Sequence, residues 1–146
     1  MARAKHREAK ERFIGIPYRI AKSTPFAALS AHEVKFMIDL LTQYNGRNNG
    51  MLSPTYALMK ERGWAKGTLY RTFASLEAKG FVVVTRQGWK QKGKPTLVAI
   101  TWLEIHDCGI EYDDGVKPGP VPLSYWCQAP ESWKHKPTRK PLKEAA

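Results

Sequence analysis

The sequence from Ser53 to Trp102 is SPTYALMKERGWAKGTLYRTFASLEAKGFVVVTRQGWKQKGKPTLVAITW. It begins with Ser53-Pro54, a pair typical of a helix start, because serine caps free backbone N–H groups and proline suits the first helical turn. The sequence therefore predicts a short helix over Thr55–Arg62, a break at Gly63-Trp64, and a second helix over Lys66–Lys79.

A β-hairpin is predicted after the second helix. Gly80 ends that helix, because glycine readily adopts the left-handed conformation at a helix C-terminus. Two β-rich runs, Phe81–Thr85 and Thr96–Trp102, flank a tip, Gly88–Pro95, that is rich in glycine and lysine. Met51-Leu52 is predicted to be a short edge strand that pairs with this hairpin. Two helices across a tight turn, followed by such a hairpin, are a usual frame for placing a helix in the major groove of DNA.

The second predicted helix has two different faces. A buried stripe at helical spacing is formed by Leu69, Thr72, Phe73 and Leu76. The opposite face is small, hydroxylated or basic, and it has no carboxylate before Glu77. Because acids repel phosphates and short side chains permit close approach, this face favours DNA binding over an ordinary solvated surface. Its positions are Lys66, Gly67, Thr68, Tyr70, Arg71, Ala74 and Ser75.

Parts of this stretch resemble the winged-helix proteins of bacteria. Thr68–Arg71 and Leu76–Val82 resemble their recognition helix and first wing strand. A longer pattern is similar to small helix-turn-helix proteins of prophages, plasmids and integrative elements; it comprises Asn45–Gly50, Arg62–Trp64, Thr85–Gly88 and Leu97–Trp102. The resemblance covers about residues 30–108 and implies a winged helix-turn-helix of the α+β class, with three helices and a small antiparallel hairpin wing that bind DNA. One departure is Ala65, which offers no side-chain cap, so the first turn of the recognition helix is expected to be less firm.

The charge of the chain is segregated by segment. Its 146 residues carry a formal net charge of +11, which favours a polyanionic partner. Residues 53–96 contain nine Lys or Arg against two acids, a net charge of +7, whereas residues 104–114 contain five acids and no Lys or Arg, a net charge of −5. The acidic segment is interpreted either as a solvated linker, as a cover for the basic face, or as a contact to a partner subunit.

The chain is expected to hold one domain with two tails. Residues 1–12 are predicted to be a basic arm, which is either a solubilising tail or a contact to DNA. Residues 13–108 are assigned to the winged-helix domain, within which residues 13–20 are expected to be extended. Residues 109–146 form a tail rich in proline and aromatic residues. Because disordered tails usually lack aromatic residues, this tail is expected to dock on its own domain or on a neighbouring subunit.

A further helix is predicted from Ala31 to about Tyr44, with Ser30 as its N-cap and Glu33 completing a capping box. Its apolar surface is wider than one short helix needs, which indicates either a subunit interface, and hence a homodimer, or cover by residues 13–20 or the tail. The predicted stripe consists of Val34, Met37, Ile38 and Leu41, broadened by Phe36 and Leu40.

The aromatic residues near the predicted DNA-binding helix are assigned packing roles. Trp64 is expected in the core rather than on a base. Tyr56 is expected to be partly exposed, and Ala57–Met59 largely internal. Trp89 is expected to pack back on the hairpin or to stack on a sugar, because a solvated tryptophan at a hairpin tip is costly.

The DNA-binding residues follow from these assignments. Base contacts in the major groove are predicted for Lys66, Thr68, Tyr70 and Arg71. Phosphate and wing contacts are predicted for Ser53, Thr55, Arg86, Lys90, Lys92 and Lys94. Ser75 is included as a further DNA-binding residue of the same helix.

Enzymatic chemistry finds little support in the sequence. It has no Walker or Rossmann phosphate loop, no nucleophile elbow and no HExxH motif, so the protein is not expected to be an enzyme and no cofactor is predicted. A zinc site is not predicted either, because two Cys and two His lack close ligand spacing; they are His106, Cys108, Cys127 and His135. Without a membrane-spanning run or a signal peptide, the chain is expected to be cytoplasmic, with no membrane partner and no evident small-molecule ligand.

The function predicted from the sequence is sequence-specific binding of double-stranded DNA. A transcription regulator of a bacterial mobile element is the favoured role. A plasmid or phage replication initiator, or a partition accessory factor, would keep the fold and change the role. An alternative of another class is a protein- or RNA-interaction module whose charge serves RNA or an acidic partner.

Overall fold

The computed structural model describes residues 11–89 and 93–127. These residues fold as an α+β unit with five α-helices and one two-stranded antiparallel sheet. In chain order the elements are α1 Tyr18–Ala21, α2 Thr24–Ala27, α3 Ala31–Leu41, α4 Tyr56–Met59 with a 3-10 turn Lys60–Arg62, α5 Lys66–Ala78, β1 Val82–Arg86, β2 Leu97–Ile100 and a 3-10 turn Tyr125–Cys127. This arrangement is compatible with a winged helix.

The chain before α3 is partly helical, so the expectation of an extended segment over residues 13–20 is wrong for its end. Pro17 precedes α1, and its fixed φ is compatible with a helix start. Ser23 caps α2, because its hydroxyl accepts a 3.3 Å hydrogen bond from the backbone N–H of Phe26. Ile20 of α1 is fully buried, which ties this segment to the core.

The N-terminus of α3 has the predicted capping box. The Ser30 hydroxyl accepts from the backbone N–H of Glu33, and the Glu33 carboxylate accepts from the backbone N–H of Ser30. The helix ends at Leu41, three residues earlier than expected. Its buried apolar side chains are Phe36, Met37, Leu40 and Leu41. Val34 and Ile38, which were predicted in the main stripe, are only half-buried.

The helix predicted over Thr55–Arg62 is shorter and begins later. Regular α-helix covers only Tyr56–Met59, and a 3-10 turn continues it to Arg62. Tyr56 is half-buried and Met59 is buried as expected, whereas Ala57 is exposed and Leu58 is 50% exposed. Four helical residues cannot bury three consecutive side chains, because successive positions point 100° apart around the axis.

The helix α5 and the hairpin follow the sequence prediction closely. The predicted stripe is buried along α5, and Gly80 ends the helix with a φ of +83°. In the hairpin, Val82 pairs with Ile100 and Val84 with Val98. The predicted edge strand is present as a bridge, since Leu52 and Val98 exchange backbone hydrogen bonds of 3.2 and 2.7 Å.

The turn after α3 is attached to the end of β2 through a buried amide. Asn49 is completely buried, and its Nδ2 donates to the carbonyls of Ile100 and Glu104 at 3.0 and 2.9 Å. Its Oδ1 accepts from the backbone N–H of Ile100 at 2.8 Å. These bonds provide partners for backbone N–H and C=O groups at the end of β2. The Asn49 side chain thus makes hydrogen bonds that a neighbouring strand would otherwise make.

Residues beyond the hairpin pack back on the same unit, as expected for the part of the tail that is described. Trp126 is buried in the core cluster that also contains Phe36 and Ile20, and its ring centroid lies 6.5 Å from that of Phe81. The apolar surface near α3 is therefore covered within one chain. Phe13 remains largely exposed, and the subunit interface stays a prediction.

No helix within residues 11–89 and 93–127 is long and apolar enough to cross a membrane.

Candidate nucleic-acid interface

The first two turns of α5 bring together the four residues predicted to contact bases. Arg71 is exposed, and Lys66, Thr68 and Tyr70 are half-buried. By helical spacing Arg71 lies opposite the buried stripe, whereas Lys66 and Thr68 lie at its two borders. The surface they form is basic and hydroxylated, and no acidic side chain of α5 precedes Glu77.

The N-terminus of α5 is uncapped, as the sequence predicts. Ala65 occupies the N-cap position and makes no side-chain hydrogen bond. Within the first turns, Arg71 Nη2 lies 3.4 Å from Thr68 Oγ1. Its guanidinium extends back over Gly67, because a Cβ at Gly67 would lie 3.3 Å from Arg71 Nη1. Glycine at this position leaves room for the arginine head at the start of the helix.

Ser75 has a different environment from these four residues. Its hydroxyl lies 3.2 Å from Glu33 Oε2, so it bonds across to α3. The structure therefore places Ser75 at the border of the α3–α5 contact, one helical turn beyond Arg71.

Ser53 does not cap a helix, which corrects the prediction from Ser53-Pro54. Thr55 occupies the N-cap position of α4, without a side-chain capping bond. Ser53 is buried, and its hydroxyl lies 3.2 Å from that of Thr55. Its backbone pairs with the Gln43 amide, which accepts from Ser53 N at 2.7 Å and donates to Ser53 O at 2.8 Å. The segment is thus held to the end of α3 by a side chain, while the N-cap of the helix lies two residues later, at Thr55.

The hairpin places Arg86 at the end of β1 and Lys94 within the tip. Arg86 is half-buried and its Nη2 lies 3.4 Å from the Pro95 carbonyl, whereas Lys94 is exposed. Trp89 pairs with Lys94 through backbone hydrogen bonds of 2.8 and 3.1 Å, and its side chain is 59% exposed. Lys90 and Lys92 lie outside the described residues.

Two buried carboxylates of α3 contact residues at either end of α5. Neither was predicted as a site residue. The first is Glu33. Its carboxylate accepts two 2.8 Å hydrogen bonds from Lys79 Nζ, next to the end of α5, besides the bond from Ser75. Glu33 is therefore shared between the capping box of α3 and the C-terminal end of α5.

The second buried carboxylate is Asp39, whose side chain is 3% exposed. Its Oδ2 accepts a 2.7 Å hydrogen bond from Trp64 Nε1, and its Oδ1 accepts from Arg62 Nε at 3.1 Å and Nη2 at 3.0 Å. Lys35 completes the network, because its Nζ bonds to Asp39 and to the Arg62 carbonyl. Asp39 thus fixes the turn that leads into α5.

Both carboxylates are held in the charged form. Burial raises the pKa of Glu33, but hydrogen bonds from Lys79 and Ser30 outweigh it, so the pKa lies below its ordinary value. For Asp39, burial is likewise outweighed by hydrogen bonds from Lys35, Trp64 and Arg62, and the pKa is lowered. Both anions therefore stay paired with their cations at neutral pH.

The acidic segment 104–114 is attached to the end of β1 through Asp113. Asp113 Oδ2 accepts from the backbone N–H of Gln87 at 2.8 Å, and Asp113 N donates to the Thr85 carbonyl at 2.8 Å. Thr85 lies at the irregularity in the β1–β2 register, which leaves its carbonyl available for this bond. The segment is therefore a packed part of the fold that flanks the base of the hairpin.

No group of three or more metal-ligating side chains is found in the part of the chain that the structure describes. Cys108 and Cys127 are free thiols, and His135 lies outside that part.

The candidate site has a basic, hydroxylated face on α5, a hairpin beside it, and two α3 carboxylates that bind residues on either side of α5. Comparison of the chain with protein-family models, with curated proteins and with solved structures gives no match.

Proposed function

We propose that this protein is a winged helix-turn-helix protein that binds double-stranded DNA in a sequence-specific manner. The recognition helix is α5, which enters the major groove with Lys66, Thr68, Tyr70 and Arg71 facing base edges. The hairpin β1–β2 is the wing, whose lysines contact the DNA backbone. The role we favour is regulation of transcription in a bacterial mobile element.

The observation that carries this proposal is the composition of the solvent-facing side of α5. Its first two turns present basic and hydroxylated side chains without an acid, while the acids of α3 that lie near α5 are buried and paired with cations. A helix that enters DNA must keep acids away from phosphates, and this arrangement meets that requirement.

The remaining charge pattern supports the same partner. The hairpin tip between Gly88 and Pro95 has three lysines and no acid. A tip of this kind, beside a helix with a basic face, gives two contacts on one polyanionic surface.

Selection of bound sequences from a random duplex library tests the proposal directly. We expect a defined consensus that is bound at least about 1,000-fold more tightly than random DNA, as is typical of specific DNA-binding proteins. A consensus mapping to promoters would support regulation, and one mapping to origins would favour the replication role. Binding to RNA or protein without a duplex consensus would refute the proposal and favour an interaction module.

A further inference from the structure

The contact between α3 and α5 combines an apolar surface, on which the two helices could shift, with two directional polar contacts. In its centre, Phe36 lies against Phe73 with ring centroids 5.9 Å apart, and against Trp64 at the same distance. Apolar contacts of this kind are non-directional, so they fix the separation of two helices better than their relative tilt. The carboxylates of Glu33 and Asp39 supply the directional bonds.

The two carboxylates contact opposite ends of the α5 region. Glu33 bonds to Ser75 and Lys79 at the C-terminal end, and Asp39 bonds to Arg62 and Trp64 ahead of the N-terminal end. Glu33 and Asp39 are six residues apart on α3, so the two sets of contacts begin from positions about 9 Å apart along the axis of that helix. Two contacts at that separation determine the tilt of a helix, which one contact cannot do.

Stability alone is a poor explanation for burying two carboxylates here. Desolvation of buried ion pairs offsets much of their mutual attraction, and apolar replacements are often neutral or stabilising. Directional networks of this kind can instead select one arrangement among several that apolar packing would allow.

We infer that Glu33 and Asp39 are positioning residues that set the tilt of α5 and thereby the specificity of base recognition, although neither faces the solvent side of that helix. This inference rests on the proposed function. A base contact requires hydrogen-bond distances of about 2.7–3.2 Å, so a shift of about 1 Å at one end of α5 disrupts the contacts made by Arg71 and Thr68.

The test uses Asp39→Asn and Glu33→Gln, which keep the side-chain shape and remove the charge, with Glu61→Gln as a matched control. Glu61 is an exposed acid next to Arg62, so its replacement removes the same charge near the same turn. Residual dipolar couplings of the backbone amides of α3 and α5 report the angle between the two helices without DNA. We expect the angle between the helices to change in Asp39→Asn and in Glu33→Gln, and to stay at the wild-type value in Glu61→Gln.

The second part of the test measures the affinity of each variant for the selected DNA consensus and for sites with one base changed. We expect discrimination between them to fall about tenfold in Asp39→Asn and Glu33→Gln and to be unchanged in Glu61→Gln. A purely structural role would lower the folded fraction and weaken all sites by one common factor, so the ratio stays informative even for a poorly folded variant.

The outcomes separate this inference from the proposed function. Wild-type interhelical angles in both Asp39→Asn and Glu33→Gln, or wild-type discrimination between sites in both, would overturn the inference. The proposed DNA-binding function would be unaffected by that result. If the wild-type chain itself selects no consensus, the proposed function fails and with it the claim about specificity, whereas the angle measurement still decides whether the carboxylates set the tilt.

Discussion

The carboxylate of Asp39 on α3 accepts a 2.7 Å hydrogen bond from the indole Nε1 of Trp64, 25 residues later in the chain. This bond connects the first long helix to the turn that precedes α5. Lys35 lies over the same indole, with its Nζ 5.2 Å from the ring centroid. The turn between α4 and α5 is therefore fixed by charge and hydrogen bonding as well as by the positive φ of Gly63.

Replacing Asp39 by asparagine is expected to lower the free energy of unfolding at pH 7 by about 1–3 kcal/mol, the range for leaving buried donors poorly satisfied. We expect less than the cost of breaking a fully buried ion pair, because Lys35 and Arg62 are each about half exposed. Urea unfolding followed by tryptophan fluorescence measures the change. A variant as stable as the wild type at pH 7 would contradict this account of the network.

The same carboxylate makes stability depend on pH in a defined direction. The pKa of Asp39 in the folded protein lies below its ordinary value of 3.8, so near that pH the unfolded chain binds more protons. The contribution of Asp39 is fully present above pH 3.8 and is lost as the pH falls through the folded pKa. The stability difference between wild type and Asp39→Asn should therefore shrink below pH 3.8, and a difference that stays constant to pH 2 would exclude this linkage.

Trp126 is expected to be essential for stability although it lies 26 residues after the end of β2. Its ring is buried beside Phe81, and Arg19 Cζ lies 5.9 Å from its centroid. Trp126→Ala should cost about 3–5 kcal/mol, the usual range for removing a buried tryptophan. Thermal unfolding measures this cost, and Val121→Ala serves as the control because Val121 is exposed. Equal melting temperatures for both variants would contradict the contribution of Trp126 to the core.

The parts of the fold that the sequence predicted well are those determined by local periodicity. The buried stripe of α5, the stop at Gly80 and the pairing of Leu52 with the hairpin all follow from spacing and turn chemistry. The capping box at Ser30 is likewise a local signal. For the candidate site, the same periodicity left Lys66, Thr68, Tyr70 and Arg71 outside the buried stripe of α5.

The parts that were predicted wrongly depend on contacts between distant segments. Ser53-Pro54 has the local chemistry of a helix start, but Ser53 pairs with Gln43 and the N-cap lies two residues later, at Thr55. Asp39 is an acid next to Leu40 and Leu41, and its partners Arg62 and Trp64 become neighbours only in the folded chain. By helical spacing Asp39 lies with Lys35 on the polar side of α3, so no local signal indicated that it would be buried.

Arg71→Ala is expected to weaken binding to the selected DNA consensus more than binding to random DNA. A bidentate arginine–guanine contact contributes about 1–3 kcal/mol of discrimination, and Arg71 is the exposed base on the proposed recognition surface. Titrations with labelled duplexes measure both affinities. Arg47→Ala removes the same charge from the exposed turn after α3 and should affect both affinities equally. An equal loss on both DNAs for Arg71→Ala would reassign it to a phosphate.

Replacing Lys90, Lys92 and Lys94 together by alanine is expected to flatten the salt dependence of DNA binding. If each lysine neutralises one phosphate, the slope of log affinity against log salt falls by about 0.9 per lysine. A triple variant with normal folding and an unchanged slope would place the hairpin tip outside the interface.

The acidic segment is expected to weaken DNA binding through its position. Asp113 is bound to the backbone at the base of the hairpin, and exposed acids nearby in the chain are Asp107, Glu111 and Asp114. Because Asp113 holds the segment at the end of β1, we expect these charges to act on DNA that is bound at the proposed wing. Exposed charges are individually weak, about 0–1 kcal/mol each, so only the set is expected to have a measurable effect.

Changing Asp107, Glu111 and Asp114 to their amides should therefore tighten DNA binding at low salt, and the gain should shrink as added salt screens the charges. A control with Glu8, Glu11 and Glu144 changed to glutamine has the same net charge but keeps the flank acidic. If the control gains as much affinity as the flank variant, the effect belongs to net charge alone. If neither variant gains at low salt but the flank variant sediments as a lighter species without DNA, the acids instead contact the basic surface of a second subunit.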